Sequence, residues 1–174
     1  MTTLLTSRLV LRPPRDGDRE ALVRGLNNFS VSQWTARIPF PYTTSDAGEF
    51  LSLTEKAPGD ILRLTISHET ELIGVIGIEA GEIGYWIAES HWGKGFGREA
   101  ARAIADHAFT SLGLAALTAR YRLGNAASRR ILLDLGFVET GEAKGYSRAT
   151  GGETDLMTLA LSKAGWQKAR ERRQ

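Results

Sequence analysis

Three glycines alternate in the run His91 to Ala100, HWGKGFGREA, at Gly93, Gly95 and Gly97. Glycine removes a side chain where a backbone must come close to a ligand. A helix is expected to begin directly after these glycines, and its first turn leaves about four N–H groups unpaired beside a partial positive charge. A strand-to-helix loop of this kind cradles phosphate oxygens. The blander reading is a turn kept glycine-rich only for tight packing. Spacing narrows the ligand: a dinucleotide loop needs G-x-G-x-x-G within a parallel strand-helix-strand unit, whereas this is G-x-G-x-G after hairpins. No Gly-Lys-Ser or Gly-Lys-Thr marks a triphosphate loop. A second polar pair, Asn125 and Ser128, opens the run AASRRILL, where the local reading is a helix N-cap and a first-turn hydroxyl.

These residues need elements to hold them. Ser7 to Arg12 alternates apolar and polar and stops at Pro13-Pro14, a short strand. Asp16 is expected to cap a helix through DREALVRGL. Ser30 to Thr44 is broken by Pro39 and Pro41 and, with Phe29 before it, carries Trp34, Phe40 and Tyr42, read either as a substrate wall or as a satellite core under a long loop. Ser45 to Lys56 is a second helix ended by Pro58-Gly59. Ile61 to Ser67, Leu72 to Glu79 and Glu82 to Ile87 are strands joined by short turns, hence an antiparallel meander, because parallel pairing needs a crossover of roughly a dozen residues. Arg98 to Leu112 (helix), Leu114 to Tyr121 (strand) and Asn125 to Leu135 (helix) follow. Gly136-Phe137 then turns into another strand, and Asp155 to Leu161 is the last before a basic helix at about 162–174. The order predicts a single α/β domain over residues 1–174, with a mixed, mostly antiparallel sheet flanked by helices.

Composition excludes several classes. An apolar fraction of 42% with 24% charged residues is that of an ordinary globular chain. No apolar run reaches the ~20 residues of a membrane span and the opening shows no signal-peptide pattern, so a cytoplasmic location and no membrane partner are expected. Cysteine is absent, and His68, His91 and His107 make no metal-ligand spacing, so no metal is expected. The net charge of +2 rests in the C-terminal stretch, where Lys163, Lys168, Arg170, Arg172 and Arg173 face only Glu171. That stretch reads as a solvated terminal helix, with a nucleic-acid or ribosome contact as the alternative.

The glycine loop resembles the pyrophosphate loop Q/R-x-x-G-x-G/A of the GNAT N-acetyltransferases. Gly95 and Gly97 fall on its two small positions, and Trp92 stands where Gln or Arg is usual. The run Trp-Gly-x-Gly-aromatic-small-x-Glu-Ala is similar to the RimJ/RimL-like branch. So are Leu5-Thr6-Ser7-Arg8-Leu9-Val10-Leu11-Arg12-Pro13, Glu82-Ile83-Gly84-Tyr85-Trp86-Ile87, and Asn125-Ala-Ala-Ser128 with Leu135-Gly136-Phe137. The resemblance implies the GNAT fold and acetyl-CoA as donor. It places the pantetheine arm beside Ile87 and Ala88, where strands splay apart, and the pyrophosphate on the Gly93, Lys94, Gly95, Phe96, Gly97 and Arg98 segment, with Asn125 holding the cofactor arm. It also implies an amine acceptor, a protein N-terminus or a small molecule, and a family in which homodimers are common.

Acetyl transfer from a thioester to an amine needs a neutral amine, a stabilised oxyanion and a proton for the departing thiolate. The resemblance nominates Glu82 as base, with Glu79 in reserve. The tyrosine that many members use as acid is replaced by Leu132, and the branch offers Ser128 near the sulfur instead. An α-amine with pKa near 8 costs about 1.4 kcal/mol to deprotonate at neutral pH and a lysine about 4.6 kcal/mol, so a weakly placed base favours N-terminal or small amines. The missing tyrosine leaves a rival, an acyl-CoA-binding protein without transfer activity.

Overall fold

The computed structural model describes residues 2–173. Eight strands form one sheet: β1 (Leu4–Leu5), β2 (Leu9–Arg12), β3 (Ile61–His68), β4 (Glu71–Glu79), β5 (Glu82–Ile87), β6 (Ala116–Arg122), β7 (Val138–Ser147) and β8 (Gly152–Ser162). Their order is β1-β2-β3-β4-β5-β6-β8-β7. The meander is present: β3, β4 and β5 pair antiparallel, and Ala80-Gly81 turns with both residues at positive φ, 50° and 77°, as a tight hairpin demands. Among the described residues only β5 and β6 run parallel, and they pair at just Glu82↔Thr118 and Ile83↔Ala119. Past that point the two strands diverge, which opens a wedge at their C-terminal ends.

Helices cover both faces. α1 (Arg19–Leu26), α2 (Phe29–Ser32) and α3 (Thr44–Glu55) lie on one. Leu22, Leu26, Val31, Tyr42, Ala47 and Leu51 pack there on Val75 and Trp86. α4 (Phe96–Thr110), α5 (Ala126–Leu135) and α6 (Lys163–Glu171) lie on the other, in a larger cluster with Ile76, Ile83, Ile87, Leu117 and Leu159. Strand alternation sorts the residues: on β6, Leu117, Ala119 and Tyr121 are buried under α4 and α5, so Thr118, Arg120 and Arg122 face the α1 side. α6 seats Trp166 and Ala169 in the core, and the Trp166 indole donates to Asp106 at 2.6 Å. No helix among the described residues is long and apolar enough to cross a membrane.

Several expectations shift. Helix α4 starts at Phe96 rather than Arg98, because Gly95, at φ 83°, releases the chain into the helix two residues early. Asp16 is not the cap of α1: residues 16–18 form a 3-10 turn, and it is Asp18 that accepts the Arg15 N–H at 2.9 Å and a fork from Arg12 at 2.7 and 2.8 Å. Strand β1 and helix α2 were not expected, being too short to show a period. The last two strands run longer than their apolar cores. The basic helix spans Lys163–Glu171, and Gln174 lies outside the described residues.

Candidate active site

The glycine loop closes one end of the wedge. Gly93 and Gly95 hold φ of 74° and 83°, values that side chains resist, and they aim the first-turn amides of α4 outward. Gly97 sits where an added Cβ would come within 3.2 Å of Ile131 and 3.5 Å of Ile87, so the helix packs closely on α5 and on the end of β5. The Trp92 indole donates to the Ile87 carbonyl at 2.7 Å and ties the loop to the strand it leaves. The Ala88 N–H is spent on Ile73 at 2.8 Å. Phe96 contributes only backbone, since its ring is buried. Lys94 is exposed, and Arg98 turns toward Asp134 at 3.8 Å.

A clamp unread in the sequence holds the loop from outside. Glu99 lies in the first turn of α4, and its Oε1 accepts from the Thr6 hydroxyl at 2.6 Å, the Ser7 hydroxyl at 3.1 Å and the Arg8 N–H at 2.9 Å. Its Oε2 takes the Arg8 guanidinium, both contacts at 2.7 Å. Burial alone would raise the Glu99 pKa, but the hydrogen bonds from Thr6 and Arg8 outweigh it and hold the carboxyl below its usual range. Arg8 also donates to the Lys94 carbonyl at 3.0 Å and covers the Phe96 ring at 4.6 Å. The Thr-x-Arg and Gly-x-Glu-Ala motifs are therefore two halves of one device.

The other wall is the start of α5. Asn125 caps it as its local role demands, its Oδ1 accepting the Ser128 N–H at 3.0 Å. The Ser128 hydroxyl meets the Tyr85 phenol at 3.1 Å, bridging α5 to β5. Tyr85 was overlooked as a site residue. Its parity was the available signal, since it shares the α4 side of β5 with Ile83 and Ile87. Burial pushes its pKa up to about 12, the Ser128 contact opposing only in part, so the phenol stays protonated.

Acid residues and aromatics lie on the opposite face. Glu82 accepts Arg120 Nε at 3.0 Å. Glu79 is held by Arg37 at 2.6 Å and Arg63 at 3.2 Å; the Arg37 hydrogen bond chiefly lowers its pKa and makes it a poor proton acceptor. Between Glu82 and Trp86, Gly84 leaves open space, with nothing within 4 Å of an added Cβ. The segment from Asn28 to Arg37 straps this space. Asn28 donates to Glu89 at 2.6 Å, the Gln33 carbonyl accepts from Arg122 at 2.7 Å, and the Ala36 carbonyl accepts the Arg148 N–H at 3.0 Å. Trp34 is half-buried against Arg122, and Phe40 stacks edge-on with Phe29 at 5.3 Å, both rings partly exposed. Tyr42 differs: at 5% exposure it belongs to the core beneath the strap. The structure thus gathers the loop, Ile87 and Ser128 on one side of the sheet, and Glu82, Trp34 and Phe40 on the other, with the wedge between.

This arrangement fits coenzyme A on its own evidence: outward amides at a helix start accept a pyrophosphate, and a gap between unpaired strand ends accepts an amide-bearing arm. Comparison with known proteins points the same way. Residues 8–138 match the family described as Acetyltransferase (GNAT) domain. The uncharacterized N-acetyltransferase YoaA of Bacillus subtilis is 30% identical over 170 residues, covering 92% of this chain and 96% of that one. The ribosomal-protein-serine acetyltransferase of Escherichia coli is 36% identical over 83 residues, 44% of this chain and 46% of its own. Mycobacterium smegmatis RimJ, solved in complex with CoA-disulfide, shares the fold with a TM-score of 0.83 at 23% identity, over 98% of this chain and 94% of that one. A family match across three quarters of its length, on a sheet whose one parallel pair opens beside a glycine-led helix, makes this chain an enzyme of the GNAT acetyltransferase family.

Proposed function

We propose that the enzyme transfers acetyl from acetyl-CoA to a primary amine by direct attack, in the manner of the RimJ/RimL-like branch. The observation that carries this is the wedge between β5 and β6, with free amides of α4 at its mouth and the Tyr85–Ser128 hydroxyl pair inside. Acetyl-CoA, when bound, supplies a thioester carbonyl, so that the amine nitrogen forms the new C–N bond as the C–S bond breaks. Gly93, Lys94, Gly95, Phe96, Gly97 and Arg98 hold the pyrophosphate through backbone N–H groups, and Ile87 and Ala88 flank the arm. The cap uses only the Asn125 Oδ1, which leaves its side-chain NH2 to hold the cofactor arm.

Ser128 passes its proton to the departing sulfur as it takes the Tyr85 phenol proton in its place, and the phenolate left on Tyr85 is reprotonated from water. A phenol held protonated by burial is suited to that role. Glu82 faces the acceptor side and takes the amine's proton through water; its carboxylate carries Arg120, and Glu79 is tied to two arginines and is not used. A base held this way suits peptide α-amines over lysine, because the free-base form of an α-amine is about 3 kcal/mol more accessible. Trp34 and Phe40 line the entry.

The test is incubation with acetyl-CoA and a panel of peptide N-termini and small amines, reading thiol release and the acetylated product by mass. Acetylated amine is expected, and Ser128→Ala and Glu82→Gln should slow it. CoA binding with no product on any amine would leave the acyl-CoA-binding reading standing instead.

A further inference from the structure

Around the acceptor end of this face stand Arg37, Arg63, Arg120, Arg122 and Arg148. The first three each hold a carboxylate, Glu79 or Glu82. Arg148 donates to the Arg37 carbonyl at the rim. Arg122 differs in kind. Its guanidinium is fixed at two points, by the Gln33 carbonyl at 2.7 Å and by the Trp34 ring at 5.9 Å, and among the described residues it has no carboxylate partner. It is partly buried, whereas solvated arginines swing freely.

Its place matters as much as its charge. Glu82 pairs with Thr118 and Ile83 with Ala119, and β6 runs on in parallel to end at Arg122, which shares the parity and the face of Thr118 and Arg120. Arg122 therefore stands at the C-terminal, wedge end of β6, on the acceptor side of the sheet. The open floor at Gly84 lies on the same face of the sheet. A cation held rigid, uncompensated and partly desolvated beside a cleft is a ready carboxylate anchor, because the planar fork matches a carboxylate's two oxygens.

We infer that the acceptor is a small amine bearing a carboxylate, which Arg122 binds while the amine points into the wedge. The inference rests on the amine-acetylation reading above and names its substrate class. Of the acids near it, Glu79 and Glu82 are neutralised by their arginines, and Glu89, just past the same end of β5, has its carboxylate turned to the Asn28 side-chain NH2 at 2.6 Å.

The experiment compares α-, β- and γ-amino acids, each beside its own carboxamide, in kcat/KM with the full-length enzyme. The carboxylate makes the amine more basic and so less available, which works against the expected preference. At least one acid should be preferred over its amide by about 10- to 30-fold. Arg122→Met should erase that preference with KM for acetyl-CoA unchanged, and Arg122→Lys should keep part of it. A merely structural arginine would lower all acceptors together. Amides used as well as acids, or a preference that survives Arg122→Met, overturns the assignment of Arg122. No turnover on any amine overturns the transfer reading and this inference with it. Should Arg122→Met fail to fold, the wild-type preference and Arg122→Lys decide.

Discussion

Replacing Glu99 by Gln tests whether the turn between β1 and β2 holds the glycine loop in shape. The substitution keeps one oxygen for Thr6, Ser7 and the Arg8 N–H but puts an NH2 where Oε2 now takes Arg8 at 2.7 Å, so donor faces donor. A hydrogen bond to a charged group is worth roughly 1.5–3 kcal/mol, and two are lost here. Glu99 is only 16% exposed but Arg8 is 43% exposed, so solvent screening cuts the sum, and about 2 kcal/mol is expected. For a chain of this size that is a Tm drop of about 4–8 °C by circular dichroism. Because Arg8 also grips the Lys94 carbonyl and covers Phe96, the loop should loosen, and CoA affinity by calorimetry should weaken about tenfold, equivalent to ~1.4 kcal/mol. Arg8→Met should cost a similar amount, and the double variant should cost less than the sum by about 1–2 kcal/mol. A Tm within about 1 °C of wild type, or strict additivity in the cycle, would refute the clamp.

Three further outcomes follow from the same geometry. Gly95→Ala should cost about 1–2 kcal/mol, because a Cβ is forced to φ 83°, and should weaken CoA more than tenfold as the α4 amides turn away; unchanged affinity would separate the loop from the ligand. Tyr85→Phe should lower kcat by about 10- to 100-fold with little change in KM for acetyl-CoA, and adding Ser128→Ala should cost little more, since the two hydroxyls act as one unit; independent effects would break the pair. Stability should fall in acid: Asp18 and Glu99 resist the raising effect of burial through their arginine and hydroxyl partners and titrate lower folded than unfolded. Their contribution is complete above about pH 5, their unfolded values being near 3.9 and 4.3, and is lost as pH falls through the lower folded values. Tm measured from neutral to about pH 3 should drop in that window, and the drop should shrink in Glu99→Gln; a flat profile would contradict it.

Much of this enzyme is written in short stretches of its chain. The hairpins, the Asn125 cap and the glycine turn into α4 depend on neighbours a few residues away, and backbone sterics force them wherever the chain is placed. The loop could therefore be read as a phosphate cradle from its glycines, and the family from motifs spaced along the chain. What the loop and wedge are connected to could not be read that way. Glu99 meets Arg8 across 91 residues, Arg122 meets Gln33 across 89, and Ser128 meets Tyr85 across 43. Tyr42 and Trp34, alike as aromatics in one irregular stretch, part company only when the strap folds over the sheet and buries the first in the core. Local spacing carries the donor site because a helix start binds phosphate by backbone alone. The proposed acceptor site draws on side chains from distant strands, and only the packing of the sheet brings Arg122, which has no carboxylate partner among the described residues, against Gln33 and Trp34.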